Sequence, residues 1–120
     1  MTILAFITDL FFQAKVGETA KQLGADLQIV TSLYKFIPAL QKGPTLVVID
    51  LEAEGISGSA LISQVKNTNG LIPVLAFATH KRADLLESAQ RAGADEALPR
   101  SKFSKQLPKL IDKYAKASEK

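Results

Sequence analysis

Cysteine and tryptophan are absent from the 120 residues, and histidine and methionine occur once each. Without cysteine there is no disulfide, no thiol nucleophile and no thiolate metal site, a composition compatible with a reducing cytosol. A single histidine excludes a multi-histidine metal site within one chain. No apolar run approaches the roughly 20 residues needed to cross a bilayer. The apolar start, Ile3 to Phe12, has no basic leader and contains Asp9. It therefore reads as a buried strand running into a helix rather than as a signal peptide, and a cytoplasmic protein without membrane contact is expected. Phosphate loops of the GxxxxGK(S/T) and GxGxxG kinds are missing. So are a Gly-x-Ser-x-Gly elbow and an Asp-x-His-x-x-Gly cobalamin motif. Thr8-Asp9-Leu10-Phe11-Phe12 lacks the hydroxyl-rich character a flavin phosphate needs. No nucleophile–base pair is encoded, so no enzyme is expected.

What is present is an ordinary globular composition, with 47% apolar residues. A chain of this length forms one domain and buries about two-thirds of its unfolded surface, enough for one core. Residues 1–116 are expected to form that domain and 117–120 a frayed basic tail. The net charge of +3 is unevenly placed: residues 100–120 carry seven basic and two acidic side chains. Lys102, Lys105, Lys109, Lys113 and Lys116 recur there at helical spacing. Lysines are favoured toward a helix C-terminus. A solvated helix face is therefore preferred over a nucleic-acid or acidic-lipid contact.

Strand and helix signals alternate five times. Ile3–Ile7, Leu27–Val30, Thr45–Ile49, Pro73–Phe77 and Ala97-Leu98 read as strands. Helices are predicted over Phe12–Leu23, over a short or irregular segment after Ser32 that contains Pro38, around Leu61–Val65, over Ala83–Ala92, and from Ser104–Leu107 onward past Pro108. Gly24, Gly43 and Gly93 are placed as stops. Such alternation predicts an α/β fold, a doubly wound five-stranded parallel sheet with helices on both faces. Right-handed crossovers leave the flavodoxin-like order 2-1-3-4-5 as the expected topology.

Functional groups in such sheets lie beyond the carboxyl ends of the strands. Thr8 and Asp9 follow the first strand and Asp50 and Glu52 the third. Ala78, Thr79 and His80 follow the fourth, and Arg100, Ser101 and Lys102 the fifth. In the expected order Asp9 and Asp50 end adjacent strands. Two carboxylates there can hold Mg²⁺, a cation that prefers oxygen ligands, and one of them can accept a phosphoryl group. Equally, each can cap the segment that follows it. His80 is a candidate base or ligand, or a surface residue of its loop. Lys15, Lys81, Arg82 and Arg100 are candidates for an anion site, or scattered surface charges. Phe11 and Phe12 cannot both face the core of one helix, so one of them is expected to cover the crevice, meet a partner or pack on a loop.

Leu46-Val47-Val48-Ile49-Asp50 with Gly58, Ile72-Pro73-Val74-Leu75, and Ala89-Gln90-Arg91-Ala92-Gly93-Ala94 together resemble the receiver domain of bacterial response regulators, the CheY-like family, over nearly the whole chain. The resemblance makes Asp50 the candidate phosphoacceptor, and Asp9, Asp50 and Glu52 the candidate metal site. Thr79, Arg100 and Lys102 become candidates for phosphate binding and switching, with Thr8, Phe11, Phe12, Ala78 and His80 around them. It implies a histidine kinase or an output protein as partner. The departures from the family pattern are specific. Thr8-Asp9 stands where two acids are usual. Ala78 stands where a Ser or Thr is usual, with Thr79 one residue later. Arg100-Ser101 replaces Lys-Pro, and Glu54 replaces a proline. The expectation is a stand-alone pseudo-receiver that signals by protein contact, with no cofactor or weak Mg²⁺. The alternatives are a Mg²⁺-dependent regulator phosphorylated on Asp50 and a sensor of a small anion or nucleotide.

Overall fold

A computed structural model describes residues 1–117. Its elements run β1 (Thr2–Phe6), α1 (Leu10–Gln22), β2 (Asp26–Val30), α2 (Leu33–Gln41), β3 (Leu46–Asp50), α3 (Gly58–Thr68), β4 (Val74–Ala78), α4 (Ala83–Ala92), β5 (Glu96–Pro99) and α5 (Arg100–Ala117). All strand pairings are parallel, in the order β2-β1-β3-β4-β5. This is the topology expected from the sequence.

Each strand divides its side chains between two cores, as the two-residue pleat requires. Leu4, Phe6, Val47, Ile49, Val74 and Ala76 face α2, α3 and α4. Ile3, Ala5, Val48, Leu75 and Phe77 face α1 and α5. Burial on both faces explains why β1, β3 and β4 are continuous apolar runs rather than alternating ones. Gly58 opens α3 where a Cβ would come 2.5 Å from Leu51 Cδ2, so the helix start can lie directly on the turn after β3. Gly93 ends α4 at φ +113°, a left-handed conformation that favours glycine.

The boundaries differ from expectation at α1 and α5, and α2 differs in regularity. α1 begins at Leu10, two residues before the predicted Phe12, because Asp9 caps it: its Oδ1 accepts the Phe12 N–H at 3.1 Å. α2 is a regular nine-residue helix despite Pro38, and Ser32 precedes it without a side-chain capping bond. α5 starts at Arg100 rather than near Ser104–Leu107 and carries Pro108 inside it. Both prolines lie on exposed helix faces, where water can meet the carbonyl that loses its intrahelical partner. An interior proline costs about 3 kcal/mol. Burial of Phe103, Leu107, Leu110 and Ile111 offsets this at about 1.5–3 kcal/mol each. Of the expected tail, Ala117 belongs to α5 and 118–120 lie outside the described residues, as does the side chain of Lys116. Among the described residues no helix is long and apolar enough to cross a membrane.

Candidate functional site

β1 and β3 are neighbours and both point their carboxyl ends at one crevice. Asp50, the last residue of β3, is buried at 1% exposure. Its Oδ1 accepts the Glu52 N–H at 3.0 Å. Asp9 enters from the cap of α1. Glu52, in the turn after β3, reaches across to the end of β4, where its Oε1 accepts the Thr79 N–H at 2.6 Å and its Oε2 faces the Thr79 hydroxyl at 3.4 Å.

One cation serves all three carboxylates. Arg100, the first residue of α5, places Nη1 3.5 Å from Asp9 Oδ2, Nη2 3.8 Å from Asp50 Oδ2 and Nε 3.8 Å from Glu52 Oε1. Its guanidinium lies over the Phe12 ring at 4.9 Å and over Phe77 at 5.9 Å. Phe77 stacks on both Phe12 and Phe103, at 4.8 and 4.4 Å between centroids. This aromatic stack forms the floor that holds the cation by its π face. Helical geometry rotates successive residues by about 100°, so Phe12 joins the floor while Phe11 remains 69% exposed. The space between Asp9 and Asp50 is thus filled by a guanidinium backed by an aromatic ring.

Among the described residues three carboxylates meet one guanidinium at ion-pair distance, with the exposed Arg82 charge acting on Glu52 from farther off. The Asp50 pKa is raised above its ordinary value, mainly by burial. The Glu52 N–H and the Arg100 charge oppose that rise, while the charges of Glu52 and Asp9 add to it. The Arg100 Nε is buried without a hydrogen-bond acceptor, since 3.8 Å to Glu52 is an ion-pair distance and too long for a hydrogen bond.

Mg²⁺ requires near-octahedral oxygen coordination at about 2.0–2.1 Å. Asp9, Asp50 and Glu52 each turn an oxygen toward Arg100 instead. Among the described residues no group of three or more acidic, histidine or cysteine side chains is arranged to hold a metal ion. The residues in this arrangement do not fit the ion.

The remaining candidates separate. Thr8 is half-buried at the mouth, and Ala78 is fully buried with no hydroxyl to offer. Lys102 and His80 are exposed. Arg82 pairs with Asp84 at 3.1 Å, and Lys15 lines a groove between α1 and α5 with Lys105 and Ser104. Of the other three basic residues considered for an anion site, Arg82 is engaged by Asp84, Lys15 lies in that groove and Lys81 is exposed. Glu54 is exposed. Sequence reasoning assigned Arg100 to phosphate binding and missed that it is a counter-cation for three acids. It also missed that the Glu52 side chain ties β3 to β4. The available signals were the position of Arg100 directly after the last strand and the pair of phenylalanines opposite it.

No protein-family model matches the sequence. Over 72 residues, 60% of the chain, it is 29% identical to the DNA-binding transcriptional regulator NtrC of Klebsiella pneumoniae, and spans 15% of that protein's length. Among solved structures, NtrX from Brucella abortus superimposes with a TM-score of 0.86 at 20% identity, over 98% of this chain and 27% of that one. The receiver domain of the sensor histidine kinase PA1611 from Pseudomonas aeruginosa has a magnesium ion coordinated in its active-site cleft. It superimposes with a TM-score of 0.81 at 13% identity, over 95% of this chain and 96% of that one. The fold is that of response-regulator receiver domains, and the resemblance carried by the sequence motifs holds. At these identities the solved structures share the fold.

Proposed function

We propose that the domain is a receiver-like signal transduction module that works by protein–protein contact in the cytoplasm and lacks a working phosphorylation switch. The observation that carries this reading is the Arg100 guanidinium set among Asp9, Asp50 and Glu52. A phosphoacceptor carboxylate needs an oxygen open to the donor and a cation to offset the developing charge. Asp50 is buried, with one oxygen on the Glu52 N–H and the other facing Arg100. A phosphoryl group would add about 1.5–2 negative charges at neutral pH to a site already holding more anions than cations. Ala78 offers no hydroxyl to capture it, and Lys102 lies exposed on the first turn of α5. A histidine kinase or an output protein is the partner class that the NtrC and NtrX likenesses suggest.

A second reading is a Mg²⁺-dependent regulator phosphorylated on Asp50. It is favoured by the convergence of Asp9 and Asp50, and by the magnesium in the cleft of the Pseudomonas receiver domain. Two measurements decide between the readings: amide shifts during a Mg²⁺ titration, and intact mass after treatment with a small phosphodonor. We expect no saturable Mg²⁺ binding and no stable adduct. An adduct that disappears in Asp50→Asn, with shifts spreading into β5, overturns the proposal.

A further inference from the structure

We propose that the first turns of α1 and α2 form a self-association surface, with a second copy of this chain as its partner. The inference rests on the protein-contact reading above and gives it one partner. Among the described residues five large apolar side chains are exposed, and four of them stand in these two turns. Leu10 and Phe11 open α1 at 78% and 69% exposure, and Leu33 and Tyr34 open α2 at 44% and 88%. Their places follow from the sheet. β1 and β2 are paired with Phe6 opposite Val30, and the Ile7 N–H donates to the Val30 carbonyl at 3.3 Å. From Ile7 and from Val30 the chain runs three residues further to each helix start, so the two starts flank one end of the same strand pair. Phe12 and Phe36 turn into the two cores, which leaves the residues ahead of them facing outward.

The patch has two similar halves, each an aliphatic and an aromatic residue in the first turn of a helix. A two-fold contact needs that property, because residue i must meet residue j while j meets i. Leu10 and Phe11 of one copy can cover Leu33 and Tyr34 of the other, and the reverse pairing forms in the same step. Charge does not oppose this contact. Asp9, at the base of the patch, is held by Arg100 at 3.5 Å. Lys35 is exposed one residue beyond Tyr34, where water can reach its ammonium. The exposed parts of the four side chains come to roughly 500 Å² per copy, within the range of patches that mark interaction sites. Two copies would bury roughly 1,000 Å² in total, the lower limit for a specific interface. The expected dimer is therefore weak, with a dissociation constant on the order of 10–100 μM.

The test is sedimentation equilibrium on the intact chain, from about 10 μM to about 1 mM, a span that brackets that constant. The average mass should move from monomer toward dimer. Phe11→Ser and Tyr34→Ser should each weaken the dimer about tenfold or more, as aromatic anchors do. Leu71→Ser is the control, since Leu71 is also 88% exposed but lies before β4, at the other end of the sheet, and it should change nothing. Phe11 meets Phe12 edge-on at 5.5 Å, so Tyr34→Ser carries the test if Phe11→Ser does not fold. The chain has no cysteine, so single introduced cysteines report the pairing directly. Phe11→Cys mixed with Tyr34→Cys should form a disulfide dimer faster than Phe11→Cys alone. A dimer that neither Ser variant weakens overturns the proposal, and so does cross-linking with no preference for the mixture. A chain that stays monomeric at the highest concentration also overturns it. Such a monomer points to a lipid surface if it co-sediments with phosphatidylcholine–phosphatidylglycerol vesicles, and to a different protein if it does not. A monomer that still rejects Mg²⁺ and phosphodonor leaves the function reading standing, whereas a wild-type Asp50 adduct overturns that reading instead.

Discussion

The two ends of the sheet each carry an ion network, and the two are built differently. At the amino end of β4, the Lys66 ammonium donates to Asp95 Oδ2 at 2.9 Å and to the Ile72 carbonyl at 2.8 Å. The same Asp95 oxygen accepts the Val74 N–H at 2.7 Å. One cation meets one anion, at bonding distance, and backbone groups fill the remaining valences. At the carboxyl end, one guanidinium faces three carboxylates, two of them at 3.8 Å, and one of its own N–H groups has no acceptor. The first network ties α3 to the start of β5 and is satisfied. The second holds surplus negative charge and an unmade hydrogen bond at the edge where α/β folds place their function. Both features carry a stability cost that the first network avoids.

Removing the cation from each network sharpens that contrast most. Arg100→Ala leaves three carboxylates facing one another and uncovers the Phe12 ring. Breaking a buried pair costs about 3–5 kcal/mol, and partial exposure of Arg100 lowers this, so we expect a loss of about 2–3 kcal/mol in urea unfolding. Because the acids are then free to take a cation, Mg²⁺ should raise the melting temperature of this variant, whereas wild type should not respond. A response of equal size in wild type would show that Arg100 does not hold the cation position.

Lys66→Met is the matched change at the balanced end. Asp95 keeps the Val74 N–H, and methionine keeps most of the lysine stem's packing over Gly93, where an added Cβ would lie 3.2 Å from Lys66 Cγ. The expected loss is about 1 kcal/mol, with no change in melting temperature on adding Mg²⁺. A Mg²⁺ response here would mean that stabilisation by the ion is not specific to the crevice, and the comparison between the two ends would fail.

The fold was legible because its signals are local. Runs such as Leu46–Ile49, short, apolar and β-branched, read as strands buried on both faces, and Gly24 and Gly93 stop helices at positions where they adopt positive φ. α5 was misplaced at its start because Pro108 is a strong local signal that tertiary burial overrides. The site was legible as a set of positions and much less so as a set of contacts. Asp9 and Asp50 were placed together by strand order alone. That Arg100 folds inward over Phe12, and that Glu52 reaches β4, depends on where side chains from four different elements meet, and neither spacing nor composition encodes this.

The smallest expected effect falls on Asp50 itself, and its sign is the informative part. Because its pKa is raised in the folded protein, chiefly by burial, the folded state binds a proton more readily than the unfolded chain. Stability contributed by this group therefore increases as pH falls from the raised folded value toward the ordinary carboxylate value of 3.8, and is lost as pH rises through that window. At neutral pH the buried charge is a net cost, even with Arg100 beside it. Asp50→Asn keeps the shape and an oxygen for the Glu52 N–H while removing that charge. It should therefore stabilise the protein slightly, by under about 1 kcal/mol, in thermal unfolding at pH 7. The gain should shrink as the pH falls through the raised folded value, where the wild-type carboxyl takes up its proton. Asp95→Asn at the balanced end should do the opposite and destabilise, since it removes the carboxylate that Lys66 engages there. If Asp50→Asn instead lowers the melting temperature at pH 7 by as much as Asp95→Asn, the Asp50 charge is a structural partner of Arg100, and the difference between the two ends disappears.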